Sequence, residues 1–269
     1  MKNANVAIRA DLDPVWSSLR QEVQSQLSLE PLLSPLFHKL VLDHACFSDA
    51  LAVVLAHKIE CKTLIFDAIH QVVRLALDEA PKIGDSAKAD LLAFCDRDPA
   101  CDRFSLPFLY YKGYHGLQLY RVANWLWHNK RRELALYLQS QISMSMGVDI
   151  HPAATIGSGI LIDHANSIVI GETAVVGDNV SMLHEVTLGG TGKDNGDRHP
   201  KVGSGVLIGA GAKILGNVRI GNNAKVGAGS VVLEDVADHC TVVGIPARNV
   251  GSCPEDQPAL LMDHSVNAP

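Results

Sequence analysis

A six-residue beat of aliphatic side chains, usually followed by Gly, constrains this chain more than any other feature. It runs through Ile150, Ile156 and Ile162, resumes at Ile170, Val176, Met182 and Leu188, and resumes again at Val202, Ile208, Ile214, Ile220, Val226 and Val232. Neither a helix (about 3.6 residues) nor an isolated strand (2) has this period. A hexad beat spaced by small residues predicts a parallel β-helix, in which flat faces stack one residue type coil upon coil. Three hexads make a coil: the aliphatic residue points into a narrow prism, and Gly, Ala, Asn or Asp turns the corners.

The beat slips twice. Ile162 and Ile170 are eight residues apart, with the excess in IDHANSIVIGE, and Leu188 and Val202 are fourteen apart, with the excess in GGTGKDNGDRHPK. A regular coil has no use for such insertions, and loops on a rigid scaffold are where sites are commonly built. Each slip holds a histidine beside a charge: Asp163-His164 and Arg198-His199.

Residues 1–147 carry no hexad beat. Apolar residues at helical spacing predict helices over Val15–Leu27, Leu32–Leu42, Asp49–His57 and Leu64–Leu77, with Ser48 or Asp49 capping the third and Pro81 with Gly84 closing the fourth. A further helix over Asp85–Phe94 ends where Asp98 precedes Pro99 and is pushed out of helical geometry. Two more fit Gly113–Asn129 and Arg131–Ser145. The aromatic residues Tyr110, Tyr111, Tyr114, Tyr120, Trp125 and Trp127 read as core or interface in preference to a ligand platform. The expected architecture is α+β: an all-α domain (1–147), a parallel β-helix with an extruded loop (148–250), and a flexible polar tail (251–269). A strand, a turn at Gly244-Ile245-Pro246 and an exit from the prism close the second domain.

Net charge is −6, so no basic surface recommends a nucleic acid or an anionic membrane. Six cysteines without CxxC spacing suit a reducing cytosol, and the acidic start MKNANVAIRADLDP is unlike an apolar leader. A soluble cytoplasmic protein is expected. A three-sided rod associates naturally about a threefold axis, and the apolar helical domain suggests a second interface.

For chemistry, His164 sits in a coil insertion, and histidine is the side chain most often used as a base near neutrality. Asp149, fifteen residues earlier and close to one coil away, is expected on the adjacent coil beside the imidazole, where a carboxylate orients the ring. His184 stacks one coil beyond His164. With His199 these imidazoles make a possible three-histidine metal site between subunits, although a polar residue on a coil face is the favoured reading of His184. GGTGK (Gly189–Lys193) lacks P-loop spacing, and the small residues at Gly209–Ala212 and Gly227–Ser230 suit either the corners of the prism or a groove for a long thin ligand.

RDPACDRFSLPFLYYKGYHGLQLYRVANWLW (97–127), VDIHPAATIGSGILIDHA (148–165), VTLGGTGKDNGDRHPK (186–201) and IGAGAKILGN (208–217) resemble bacterial and plant serine acetyltransferases of the hexapeptide-repeat acyltransferase superfamily. The resemblance implies a left-handed coil and transfer of an acetyl group from acetyl-CoA, as co-substrate and without a metal, to the hydroxyl of L-serine at the start of cysteine synthesis. It implies His164 as general base with Asp149 as dyad partner, and Asp98, Asp163, Arg198 and His199 as the serine-binding set. Gly190, Thr191, Ala210, Lys225 and Ala228 would bind CoA. It further implies a trimer or dimer of trimers with sites shared between subunits, and inhibition by L-cysteine. Many relatives end in an Ile that docks into O-acetylserine sulfhydrylase; this chain ends Val266-Asn267-Ala268-Pro269, which argues against a tight complex.

Rival expectations are an acyltransferase for homoserine, a sugar or an antibiotic, a zinc hydratase, and a non-catalytic scaffold. The RDP turn and DRHP loop favour a small amino acid, and the paired slips speak against a scaffold.

Overall fold

Asp13 starts the first helix: its carboxylate accepts the backbone N–H of Trp16 at 3.1 Å, and Pro14 takes the first helical position, where a missing N–H costs nothing. The computed structural model describes residues 13–61, 65–192, 195–252 and 257–265. Lys193 of the glycine-rich segment, Cys253 and Val266–Pro269 lie outside the described residues.

The helical half contains α1 (Pro14–Gln26), α2 (Ser34–Phe37), α3 (Phe47–Ile59), α4 (Phe66–Glu79), α5 (Lys82–Arg97), α6 (Ser105–Tyr110), α7 (Lys112–His128) and α8 (Arg132–Met146). Several expectations are corrected here. The helix expected over Leu32–Leu42 is three pieces, a 3-10 turn at Pro31–Leu33, then α2, then a π turn at His38–Leu42, because Pro31 and Pro35 each remove a backbone donor. Neither Ser48 nor Asp49 caps α3; Cys46 occupies that position without a side-chain cap, and the Asp49 carboxylate is taken by the Arg74 guanidinium. Gly84 does not close α4 but lies buried inside α5, against Ser48. Asp98 does leave helical geometry at the end of α5, with φ −95° and ψ 109°.

Gly147, at φ +70°, ends α8 and turns the chain into β1 (Val148–Ile150). From there a parallel β-helix of five coils runs through β2 (Thr155–Ile156), β3 (Leu161–Ile162), β4 (Ile168–Ile170), β5 (Val175–Val176), β6 (Ser181–Met182), β7 (Thr187–Gly189), β8 (Lys201–Val202), β9 (Leu207–Ile208), β10 (Lys213–Leu215), β11 (Arg219–Ile220), β12 (Lys225–Val226) and β13 (Val231–Val232) to β14 (Cys240–Gly244). Its faces are β1-β4-β7-β10-β13, β2-β5-β8-β11 and β3-β6-β9-β12-β14. The hexad residues stack in register: Ile150, Ile170, Leu188, Ile214 and Val232 form one column, Ile156, Val176, Val202 and Ile220 a second, Ile162, Met182, Ile208 and Val226 a third. Nearly all are completely buried. Each such aliphatic side chain contributes about 1.5–3 kcal/mol by leaving water. Val236 and Val242 continue the second and third columns before β15 (Ala247–Ser252) folds back antiparallel on β14 (Cys240–Gly244).

The helical half is fastened to the first coil through α7. Gly113 and Gly116 let that helix lie on the strands: a Cβ on Gly113 would stand 2.1 Å from the Ile162 carbonyl oxygen, and one on Gly116 would press on Val148. Buried Asp90 of α5 receives Arg121 Nη2 at 2.7 Å, Gln118 Nε2 at 2.9 Å and the Ile160 N–H at 2.8 Å, while Arg121 also donates to the Gly157 carbonyl at 2.8 Å. One satisfied ion pair thus ties two helices to the β-helix.

The tail, expected to be flexible, is partly anchored. A short helix α9 (Pro258–Leu261) buries Pro258 and Ala259 against α5 and β9; Ser181 Oγ donates to the Ala259 carbonyl at 2.8 Å, and Lys225 Nζ donates to the Ser265 carbonyl at 2.6 Å.

Candidate active site

The two-residue excess after Ile162 forces a tight corner. His164, Ala165 and Ser167 all adopt positive φ (54–57°), a region L-residues enter at a cost and which clusters at functional sites. The corner projects His164, whose side chain is 71% exposed, and places its Nε2 3.8 Å from Asp163 Oδ2. Above it α7 begins, and the turn after α5 brings in Asp98. Together Asp98, Ala100, Tyr110, Tyr111, Asp163 and His164 line a cavity of about 330 Å³, floored by Phe94, Gly113 and Ile162. Burial, with Cys101, Asp98 and Asp163 nearby, raises the Tyr111 hydroxyl above its usual range, so this wall stays a neutral donor. Tyr110 and Tyr111 are therefore cavity residues, whereas Tyr114 and Tyr120 are buried as the helical spacing predicts.

Asp149 is placed differently from the expectation. It lies in β1 of the same coil as His164, paired in register with Val169, and its carboxylate accepts Gln139 Nε2 at 2.7 Å. No hydrogen bond or ion pair joins it to His164 among the described residues; Asp163 is the nearer acid. His184 does stack on the next coil, its ring meeting His164 edge to face with centroids 5.9 Å apart.

Arg198 and His199 line a second cavity, of about 770 Å³, with Glu172, Thr173, Gly190 and Gly192. Among the described residues it shares no lining residue with the first. Arg198 Nη2 donates to Glu172 Oε2 at 2.7 Å, which holds the Glu172 carboxyl below its usual range. His199 is buried beside Gly171, where a Cβ would stand 2.0 Å from the ring. The Thr173 backbone N–H donates to its Nδ1 at 3.2 Å, so the neutral ring carries its proton on Nε2; burial, then Arg198, lowers the pKa and keeps it neutral. Glu172 and Thr173 were not anticipated, yet a signal existed: the third coil repeats at 26 residues (Val176 to Val202), and the same offset sets Glu172 under Arg198 and Thr173 under His199.

Of the residues expected around CoA, Gly190 lines this second cavity and Thr191 is exposed beside it, against Gly216. Ala210 and Ala228 occupy equivalent corners of successive coils, where Gly229 N–H donates to the Ala210 carbonyl at 2.7 Å. A Cβ on Gly209 would stand 2.5 Å from the Ala228 nitrogen, so close coil packing requires that glycine. Lys225 is buried with its ammonium on the Ser265 carbonyl. His199 sits in a different cavity from His164, and among the described residues no group of three or more His, Cys, Asp or Glu is placed to hold a metal ion.

Family models match twice: "Serine acetyltransferase, N-terminal" over residues 15–119 and "Bacterial transferase hexapeptide (six repeats)" over residues 199–234. The serine acetyltransferase of Salmonella typhimurium is 50% identical over 257 residues, 96% of this chain and 94% of that protein. The chain belongs to the serine acetyltransferase family. The crystal structure of the Vibrio cholerae family member superposes with a TM-score of 0.93 at 51% identity, over 94% of this chain and 98% of that one, so the helical half and left-handed β-helix are the family's fold. A serine acetyltransferase in complex with cysteine matches with a TM-score of 0.92 at 47% identity (94% and 98% covered). A Brucella abortus enzyme in complex with coenzyme A matches at 0.88 and 46% (89% and 96%), and a Neisseria gonorrhoeae enzyme in complex with serine at 0.87 and 47% (89% and 98%).

Proposed function

We propose that this chain transfers the acetyl group of acetyl-CoA to the hydroxyl of L-serine, with His164 as general base. The observation that carries this reading is the meeting of Asp98, Asp163 and His164 in one small cavity: two carboxylates suit the ammonium group of an amino acid, and the imidazole beside them suits its hydroxyl. The similar structures holding serine and coenzyme A support both substrates.

In this mechanism His164 takes the hydroxyl proton as the serine oxygen attacks the thioester carbonyl. The tetrahedral intermediate then collapses with release of the CoA thiolate, which recovers the proton. Positioned base catalysis supplies about 10²–10⁴-fold, and holding both substrates together supplies more. Asp149 acts as dyad partner once its carboxylate turns from Gln139 to the imidazole; it would orient the ring and stabilise its protonated form. Arg198 and His199 complete the acceptor site from a neighbouring copy of the chain, Arg198 exchanging Glu172 for the serine carboxylate and His199 offering its Nε2 proton. The separation of the two cavities on one chain supports a trimeric site, or a dimer of trimers. Gly190, Thr191, Ala210, Lys225 and Ala228 line the CoA path, and CoA binding at Lys225 displaces the Ser265 carbonyl. L-cysteine, a serine analogue bearing a thiol, competes in the acceptor cavity, as the cysteine complex of a similar enzyme supports.

Thiol release from acetyl-CoA with L-serine, beside a His164→Ala variant and an L-homoserine control, tests the proposal. Serine-dependent release that the variant loses is the expected result; turnover with homoserine but not serine would move the acceptor and overturn it.

A further inference from the structure

Behind the acceptor cavity two thiols face each other. Cys95 lies in the last turns of α5, Cys101 follows the turn that carries Asp98, and their sulfurs are 3.5 Å apart. Hydrogen bonds already close this turn: Asp98 N–H donates to the Phe94 carbonyl at 2.9 Å, Ala100 N–H to Asp98 Oδ1 at 2.9 Å and Cys101 N–H to the Asp98 carbonyl at 2.8 Å. Asp98 and Ala100, both between the cysteines in sequence, line the cavity. Nothing in the proposed acetyl transfer uses either sulfur.

We propose that Cys95 and Cys101 form a peroxide-sensitive thiol pair whose disulfide resets the turn presenting Asp98 to the acceptor. A disulfide bond is about 2.05 Å long, so the sulfurs need to approach by roughly 1.5 Å, within reach of small side-chain and turn adjustments. Hydrogen bonding from Cys95 draws the Cys101 thiol below its ordinary range, which favours Cys101 as the attacking thiolate. Cys101 is buried and Cys95 half-buried, so an oxidant as small as a hydroperoxide suits the pair. The thiolate attacks one peroxide oxygen, giving a sulfenic acid and hydroxide. The Cys95 thiol then displaces the sulfenic hydroxyl as water, leaving the disulfide: two thiols are oxidised and one hydrogen peroxide is reduced to two waters after protonation of the hydroxide. A reducing compartment returns the pair to thiols, which suits a transient bond.

Trypsin makes the test simple, because it cuts after Lys88, Arg97 and Arg103 and so puts the two cysteines on separate peptides, 89–97 and 98–103. Full-length reduced protein is treated with hydrogen peroxide, blocked with N-ethylmaleimide under denaturing conditions, and digested. The expected product is the two peptides joined, two hydrogens lighter than their sum and separated by dithiothreitol. Two maleimide-capped peptides, or sulfinic acid on either, would overturn the proposal. The effect on the turn rests on the acetyl-transfer reading. Peroxide-treated protein should show a KM for L-serine raised roughly three- to tenfold, since ångström-scale misplacement costs up to about 10²-fold, with recovery on reduction. Cys101→Ser, checked for an unchanged melting temperature, should not respond; an unchanged KM in disulfide-bonded wild type would overturn the coupling. Absence of any serine-dependent turnover in reduced protein would count against the acceptor assignment, while the peptide result stands independently.

Discussion

The imidazoles of His164 and His184 meet edge to face across two stacked coils, with centroids 5.9 Å apart and planes inclined at 76°. Among the described residues His184 Nδ1 is buried without a hydrogen-bond partner, so packing positions that ring, and the ring in turn limits the orientations of the exposed His164. His164→Ala should lower serine-dependent CoA release by about 10²–10⁴-fold without lowering the melting temperature, because the side chain contributes little burial. His184→Ala should lower kcat by a smaller factor, on the order of tenfold, through loss of ring orientation. Steady-state kinetics and thermal melts check both; full activity of His164→Ala would remove the proposed base.

Two cavities on one chain make a mixing experiment decisive. His164→Ala and Arg198→Ala proteins should each be inactive with L-serine, yet subunits dissociated together and reassociated should regain activity, because some sites then combine an intact His164 with an intact Arg198 of a neighbour. No recovery, with mixed oligomers demonstrated by mass spectrometry, would place the whole acceptor site within one chain.

Asp90 and Arg121 form the buried tie between helical half and β-helix. Asp90→Ala strands the guanidinium and should cost about 3–5 kcal/mol in urea unfolding. Gly113→Ala should also destabilise and disturb the His164 corner, since its Cβ would meet backbone at 2.1 Å. Gly84→Ala, inside α5 with its nearest neighbour, Ser48 Oγ, at 3.4 Å, should stabilise by about 0.5–1 kcal/mol.

His115 is fully buried with Nε2 2.8 Å from the Phe108 carbonyl, and burial, aided by Lys58, lowers its pKa to about 3. In the unfolded chain the same group titrates near ~6.5. Between those values the unfolded state binds a proton that the folded state refuses, so stability falls as pH drops from about 6.5 towards 3, by about 1.4 kcal/mol per unit at most. Above about pH 6.5 the group contributes no pH dependence. Urea midpoints at pH 7.5 and 5.0 should show this loss, and His115→Gln should flatten it.

Much of this was legible in sequence because hexad spacing and coil stacking are the same fact seen in one and three dimensions. A period of eighteen, or of 20 and 26 where the first and third coils are longer, dictates which residues lie over one another, and it would have exposed Glu172 under Arg198. The slip at Asp163-His164 likewise marked the corner that strained backbone now identifies. The surroundings of Asp149 were less legible, because a difference of fifteen residues says nothing about which way a side chain turns, and Gln139 of α8 competes for its carboxylate. The aromatic residues divided for a similar reason: Tyr111 and Tyr114 share a sequence cluster, but only Tyr111 faces the cavity.

By itself the sequence determined the β-helix, its aliphatic columns and the corner that projects His164, since these follow from local spacing and from the burial that spacing allows. Only the tertiary structure decided that Asp98 shares a cavity with Asp163 and His164 while Arg198 lies in another. That outcome depends on how closely α7 approaches the first coil, which two glycines and the buried Asp90–Arg121 pair set, and such long-range docking leaves no period to read.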